Sequence, residues 1–476
     1  MLSLSNMGDK TIETPFANSR YRPTPHTRPG SSAGGLTAFD LEEKRNVEVV
    51  EVLSETRSGL PSDGSHLDFI AAADRLDQLT ELDHASLVRT YDYFVENGRT
   101  FLATEPIEAR NFAELFSRER APALSNILQW SDDLFDVLIY LHSRSDRLLH
   151  NDITPHNVWL TMSSNIKLAR PSTHSSAKQD LASGSGKEAS ALPYRSLEYL
   201  WDDIDATTKF VISRGFDDSP FDELLKSEPD ERSDIYSLSA TLYFAMTKTV
   251  PVDAMSRTVS ILEGAGDPLR SVFEIDHSIP ESISDVIMKG LSVKRAERYH
   301  SAYEMRMDLV AASSRLFDGL TRLPNADQFK AHLDSAIEEV LNGVAPKFAV
   351  MLIEIAESDM YSRLGRLSGD EAILKMSQRI RSSVRMNDIV GRLGPNRFSL
   401  LLFEAGTSID IFNIAGRIQT KLAEPMNIED ETIQITSNIG ISVASQMAVS
   451  TDEHLQNASA ALESARNNGP NSNAIF

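Results

Sequence analysis

The stretch Leu148–Leu160, LLHNDITPHNVWL, with NIKL following from Asn165, decides how the longer part of this chain is read. It sets a carboxylate, Asp152, and an amide, Asn157, five residues apart between apolar flanks. By themselves these groups are of the kind that brace a loop through local hydrogen bonds. Upstream, Ile127, Trp130, Leu134, Val137, Leu138 and Leu141 recur at three- and four-residue steps, and downstream Ile235, Leu238, Leu242 and Met246 do the same. Two central helices of a mostly helical lobe follow from that spacing. From Ala38 to Glu105 the pattern changes to short β-type runs, Val47–Leu53 and Thr100–Thr104, around one helical stretch at Phe69–Leu82, which predicts a small α+β unit. Residues 1–33 are rich in Pro, Thr, Ser, Arg and Gly and lack apolar periodicity, so a disordered arm is expected there. Ser172–Ala191, rich in Ser, Ala and Gly, and the acidic Trp201–Glu231 read as surface loops or insertions.

A second pattern begins near Phe317. Helical spacing at Phe329, Leu333, Ile337 and Val340 leads into the apolar run Phe348–Ile355. A helix over 370–384 (Ile373, Met376, Ile380, Val384) precedes a Gly-Pro-Asn turn and the strand Phe398–Phe403, and a helix over 409–422 precedes Thr432–Val443. Strands alternating with helices, plus a hairpin, predict an α/β sandwich.

The bulk composition narrows the function. At 476 residues two to three domains are expected. With 69 acidic against 47 basic side chains the net charge is -22, which repels nucleic acid and anionic lipid. No cysteine occurs, so disulfides, thiolate metal sites and cysteine nucleophiles are excluded. No apolar run reaches the roughly 18 residues of a membrane span, and Met1–Asp9 lacks the pattern of a signal peptide. The expectation is a cytoplasmic protein with no membrane insertion and no nucleic-acid partner.

The Leu148–Leu160 string resembles the catalytic loop of protein kinases, where His-Arg-Asp is followed by a Lys and then an Asn. Here the matching residues are His150, Asn151, Asp152, Thr154 and Asn157. Other kinase landmarks follow in order: Glu198 in YRSLEYL, Asp234 in RSDIYSLSATLY and Arg298 in VKRAERY, while LDHASLVRTYDYFVENGRTFLATE matches the small-lobe sheet up to the hinge. The resemblance covers about 34–312, with a small lobe over 34–105, a large lobe over 106–312 and the acidic insertion 201–231. It implies Asp152 as base, Asn157 as a metal ligand, Glu198 with Arg298 as a buried ion pair, and Asp234 as a structural carboxylate. Phosphoryl transfer by this family depends on positioning and charge neutralisation, and several parts are replaced. The strand Lys falls at Val50 or Glu51, its helical Glu partner at Ala72 with Asp74 nearby, and the Mg-binding Asp at Arg170. The glycine-rich loop is reduced to Gly34, Gly35 and a short run to Phe39, and Asn151 stands where the family has an Arg. Lys44 and Lys167 are the only lysines near enough to substitute.

DGLTRLPNADQF (Asp318–Phe329), LIEIA, GRLSGDEAIL, DIVGRLGPNRFSLLLF and TSNIGISVA together resemble the GGDEF family of diguanylate cyclases and their inactive relatives. Cyclases of this kind need carboxylates to hold metal on GTP. The signature reads Gly394, Pro395, Asn396, Arg397, Phe398, without its acidic residues; Glu354 remains as a metal carboxylate, with Ala356 where a second Asp often stands. Of the guanine-reading positions Asp370 survives, a residue that also suits a helix N-cap, and the Asn position falls at Ser362. Arg385 and Asp388 match the family's Arg-x-x-Asp inhibitory site five residues before the signature, which implies cyclic di-GMP as a ligand.

The resulting expectation is an α+β chain of two domains: a bilobal protein-kinase-like fold, then an α/β GGDEF (nucleotidyl-cyclase-like) domain over 313–476. Its expected role is a signalling protein without catalysis, acting as scaffold or sensor, with signalling proteins as partners and a homodimer through the GGDEF-like domain. No cofactor is certain; weak ATP/Mg²⁺ and cyclic di-GMP are the candidates. The alternative is an active Ser/Thr kinase that uses Asp152 with a displaced lysine, the GGDEF-like domain serving as its regulatory module.

Overall fold

The structure, a computed structural model, describes residues 20–24, 35–52, 66–97, 99–118, 122–161, 165–172, 191–200, 229–343, 347–356, 360–428, 431–444 and 450–476. The chain divides into two compact units, one of Met1–Glu119, Gln129–Ile275 and Ser284–Asp308, the other of Arg120–Leu128, Asp276–Ile283 and Leu309–Phe476.

In chain order the first elements are β1 (Tyr21–Pro23), β2 (Leu36–Asp40), β3 (Arg45–Val52), α1 (His66–Glu81), β4 (Thr90–Glu96) and β5 (Arg99–Thr104). The strands form one antiparallel sheet in the order β1-β2-β3-β5-β4. Side chains alternate across it, so Val47 and Val49 join Tyr21, Ala38, Phe101 and Ala103 in one buried cluster. The composition places Tyr21–Pro23 in a disordered arm; the structure corrects this and starts the small lobe at Arg20. Tyr21 is fully buried, and the Arg20 guanidinium forks onto Asp40 at 3.0 Å through both Nε and Nη2, with Nη1 2.8 Å from Asp92. One aromatic and one cation anchor a segment whose average composition suggests no order.

The large lobe holds β6 (Ala109–Asn111), α2 (Phe112–Arg118), α3 (Leu124–Ser143), β7 (Val158–Thr161), β8 (Ile166–Leu168), α4 (Leu197–Leu200), α5 (Glu231–Thr247), α6 (Ala254–Leu262), α7 (Val272–Ile275), α8 (Glu281–Gly290) and α9 (Ala302–Ser313). On α3, Trp130, Leu134, Val137, Leu138 and Leu141 are all buried, as the spacing predicts. Helix α5 is buried along nearly its whole length and starts at a capping box between Asp230 and Ser233. Most of the acidic segment (201–228) and of the Ser-rich loop (173–190) lies outside the described residues, as do Gly34 and the side chains of Ala72 and Ser362.

The second unit contains α10 (Ala326–Leu341), β9 (Phe348–Ile355), α11 (Met360–Arg381), β10 (Ile389–Gly394), β11 (Arg397–Phe403), α12 (Ser408–Leu422), β12 (Met426–Ile428), β13 (Glu431–Ile433), β14 (Ser437–Val443), α13 (Thr451–Asn467) and β15 (Asn473–Ile475). Its main sheet runs β10-β11-β9-β14-β15 with helices on both faces. That is why β9 is apolar except for Glu354 near its end: Met351 and Ile353 pack with Ile373 and Met376 of α11 and Ile411 and Ile418 of α12, while Val350 and Leu352 pack with Phe329 and Leu333 of α10 and Leu462 of α13. Helix α11 begins ten residues earlier than its periodicity predicts and breaks at Gly365, whose φ of 77° favours glycine. Asp370 therefore lies inside the helix, not at its N-cap. Gly440 has a different constraint, since a Cβ there would lie 2.6 Å from Leu462 Cα on α13.

Gly440→Val should lower the stability of this unit by about 2–3 kcal/mol or more, because the obstructing atoms are backbone and cannot swing away. Urea unfolding checks it, and a loss below about 0.5 kcal/mol would contradict the close approach.

Candidate functional site

The catalytic-loop string is held by one buried carboxylate. Asp234, at the start of α5, accepts the N–H groups of His150 and Asn151, both at 2.8 Å, and a hydrogen bond from His142 Nε2 at 2.9 Å. Burial would push this carboxyl up, but these donors, His142 foremost, hold it below the usual range. His150 is fully buried and its ring state is set by its partners: Nε2 donates to Ala169 O at 2.8 Å, leaving Nδ1 to accept from Asp152 N at 3.3 Å. Burial lowers its pKa, consistent with a neutral ring. Asn151 has φ 59°, a left-handed conformation in which Asn is among the best-tolerated residues.

Asp152 itself is braced. Asn157 Nδ2 donates to Asp152 Oδ2 at 2.7 Å and to Asp152 O at 2.9 Å. The Asn157 amide is thus spent on the loop, and Arg170 nearby in sequence is a half-buried guanidinium. Burial pulls Arg170 below the usual arginine range while the Asp152 carboxylate opposes the loss of its charge. Arg170 occupies the sequence position at which the kinase family carries its Mg-binding Asp.

The two lysines offered as replacements lie outside strand β3. Lys44 lies in the exposed turn between β2 and β3, and Lys167 pairs with Glu105 at 2.8 Å. Glu51, one of the two strand positions aligned with the family's Lys, pairs with Arg99 at 3.3 Å. Asp74 is exposed on α1. Its neighbour Arg75 was not singled out by the sequence, yet it ties α1 to the catalytic loop: Nη2 donates to Leu149 O at 2.8 Å and Ser172 O at 3.1 Å. Only its type and helical position were visible in the sequence, and neither reveals a carbonyl partner 74 or 97 residues away.

Glu198 and Arg298 form a buried fork, Nη1 to Oε1 at 2.6 Å and Nη2 to Oε2 at 3.2 Å, with their side chains 4% and 0% exposed. Arg298 also donates to Ser292 O and Val293 O, and Ser233 Oγ donates to Glu198 at 2.9 Å. Burial opposes ionisation of Glu198, and Arg298 reverses that and lowers its pKa.

In the second unit the signature is the tip of the β10–β11 hairpin. Asn396 pins it to the end of β9, since Asn396 O accepts Ile355 N at 3.0 Å and Asn396 Nδ2 donates to Ile355 O at 3.1 Å. Arg392 fixes its other side, bonding Asp318 Oδ1 and Pro395 O, both at 2.8 Å. Beside this tip, Glu354 is held by two guanidiniums: Arg397 Nη2 at 3.1 Å from Oε1, and Arg466 of α13 on Oε2. Burial opposes ionisation of Glu354, but Arg466 and Arg397 together keep its pKa low. Arg466 is 112 positions away and was not anticipated. Among the described residues no group of three or more His, Asp or Glu is arranged to hold a metal ion.

Arg385 and Asp388 sit together in one turn, but with different roles. Asp388 is 5% exposed and accepts Arg385 N at 2.8 Å and Phe403 N at 3.1 Å, so its oxygens shape the turn. Half-buried Arg381, whose pKa desolvation pushes down to about 10, donates to the carbonyls of Arg385, Met386 and Asp388. The Arg385 side chain is exposed on a cavity of about 630 Å³ that Arg417 and Phe403 also line.

Comparison with known proteins places this geometry. The family described as "Diguanylate cyclase, GGDEF domain" matches residues 315–472, and "Protein kinase domain" matches residues 67–180. The chain carries a protein kinase domain and a GGDEF domain. The GGDEF domain is similar to the bifunctional diguanylate cyclase/cyclic di-GMP phosphodiesterase MucR of Pseudomonas aeruginosa, with 30% identity over 165 residues, 34% of this chain and 23% of MucR. The kinase domain is similar to the serine/threonine-protein kinase PrkC of Bacillus subtilis, with 21% identity over 233 residues, 49% of this chain and 32% of PrkC. The chain thus spans a third or less of either relative. Among solved structures, the GGDEF domain of TpbB from Pseudomonas aeruginosa is 28% identical, covering 33% of this chain and 93% of that one, with a TM-score of 0.32. The PknI kinase domain of Mycobacterium tuberculosis is 16% identical, covering 64% of this chain and all of that one, with a TM-score of 0.45. Among the described residues no helix is long and apolar enough to cross a membrane.

Glu198→Ala or Arg298→Ala should destabilise the kinase domain by about 3–5 kcal/mol, since each strands a buried charge, and Asp152→Ala should cost far less. Equal losses in denaturant melts of the three variants would contradict the pairing. For the GGDEF domain, the folded Glu354 pKa lies below its unfolded value of about 4.3. Its contribution is present above that value and is lost as pH falls through the folded pKa. The stability gap between wild type and Glu354→Gln should therefore narrow as pH falls below about 4.3; a gap unchanged at the acid end would rule out the clamp.

Proposed function

We propose that this chain is a cytoplasmic signalling scaffold, a kinase domain that transfers no phosphate joined to a GGDEF domain that makes no cyclic di-GMP. The observation that carries the reading is in the GGDEF domain, where Glu354, the carboxylate that would face a metal ion, is held by Arg397 and Arg466; in the kinase domain Arg170 supports it by standing at the sequence position of the family's Mg-binding Asp. Chemistry on a triphosphate relies on metal to neutralise its developing charge. A fixed guanidinium repels that metal and already satisfies its ligand.

The sensing function follows from what is left free. Arg385 is exposed on a cavity whose size falls within the roughly 300–1,000 Å³ common for small-molecule sites, and a guanidinium fork suits a phosphate or the O6/N7 edge of guanine. Cyclic di-GMP is the ligand whose chemistry matches, with Asp388 shaping the turn and Arg385 making the contact; Asp370 stays a position in helix α11. ATP with Mg²⁺ is bound weakly if at all. The partners are other signalling proteins and a second copy of the chain through the GGDEF domain.

Incubation with radiolabelled ATP should give no incorporation, and incubation with GTP and Mn²⁺ no cyclic di-GMP; label that disappears in Asp152→Ala would sink the pseudokinase reading. Isothermal titration with cyclic di-GMP should show binding that weakens at least about tenfold in Arg385→Ala, the loss of one charge-assisted contact. Titration heat that is absent, or unaltered in that variant, ends the sensing assignment.

A further inference from the structure

A further carboxylate, Glu48, is buried in the kinase domain, away from the catalytic loop. Because Val47 and Val49 of β3 face the small-lobe cluster, Glu48 and Val50 face the opposite side of the sheet. Val50 is an aligned position for the kinase family's phosphate-binding Lys, and in the V-A-I-K register the residue two before that Lys is a small Ala. Here it is Glu48, only 2% exposed.

Its surroundings show where the side chain goes. Glu48 is in register with Thr104 at the end of β5, and Thr104 Oγ1 donates to Glu48 O at 3.2 Å. The Glu48 side chain runs against the backbone of Gly35, which immediately precedes β2: a Cβ on Gly35 would lie 2.6 Å from Glu48 Cγ and 2.7 Å from Cδ. The carboxylate thus fills the space between β3 and the start of β2. A nucleotide whose phosphates reached Val50 would lay its base along this same face, about 7 Å up the strand, over Glu48.

We propose that Glu48 occupies the base-binding part of the cleft, so that the kinase domain excludes purines with a side chain of its own. This rests on the reading of the domain as one that transfers no phosphate, and adds the residue that decides whether a base can enter. Adenosine is the probe, because it carries no phosphate and is blind to the lost phosphate and metal ligands. With the full chain, millimolar adenosine should leave the wild-type melting temperature unchanged, while Glu48→Ala should gain a saturable rise. Glu48→Gln, which keeps the shape, should remain closed. Glu48→Val keeps a good strand residue and serves if Glu48→Ala folds poorly. Binding of adenosine by the wild type, or no gain in whichever of these two variants folds, overturns the proposal, and the wild-type titration stands whatever the variants do. Phosphate transfer by the wild type would overturn the reading of the domain and the role of Glu48 with it; adenosine binding without transfer would overturn only the role of Glu48.

Discussion

A carboxylate that already faces two fixed guanidiniums attracts a divalent cation poorly, because their positive charges oppose the metal at the same place. Glu354 gives one oxygen to Arg397 and the other to Arg466, which joins the end of β9, the signature strand and the last turn of α13. The GGDEF domain keeps its fold by this exchange. A metal is a loosely held charge that arrives with substrate, whereas a guanidinium is fixed by covalent attachment and stays when substrate is absent. The site becomes a structural joint.

The kinase domain holds its catalytic loop with groups of its own. Asp152 is held by Asn157 and lies near Arg170, while α1 is docked by Arg75 on two carbonyls and not by a lysine–glutamate pair. What survives intact is the architecture beneath the chemistry: Asp234 under the catalytic loop and the Glu198–Arg298 fork in the large lobe. Such buried groups are costly to remove singly, so they persist where the exposed catalytic groups do not.

Much of this was legible from the chain because it is local. The loop string located Asp152 and Asn157, the helical spacing located α3 and α5, and the alternation of strand and helix indicated the second sheet. What was not legible is long-range. Arg466 meets Glu354 across 112 residues, and Arg20 reaches Asp92 across 72; no local periodicity records such pairs. Strand β1 was hidden because Tyr21 and Arg20 sit among Pro, Thr and Ser, and average composition outweighs two anchoring residues. The early start of α11 was hidden because Gly365 breaks its phase, so the sequence pattern begins only after the break.

The exchange of metal for guanidinium is tested most directly by melting the full chain with ATP or with GTP, each in excess Mn²⁺ and again in EDTA. The account predicts that the transition temperatures for each nucleotide are the same with and without the metal. A rise of several degrees that appears with Mn²⁺ and disappears in EDTA, for either nucleotide, would contradict it.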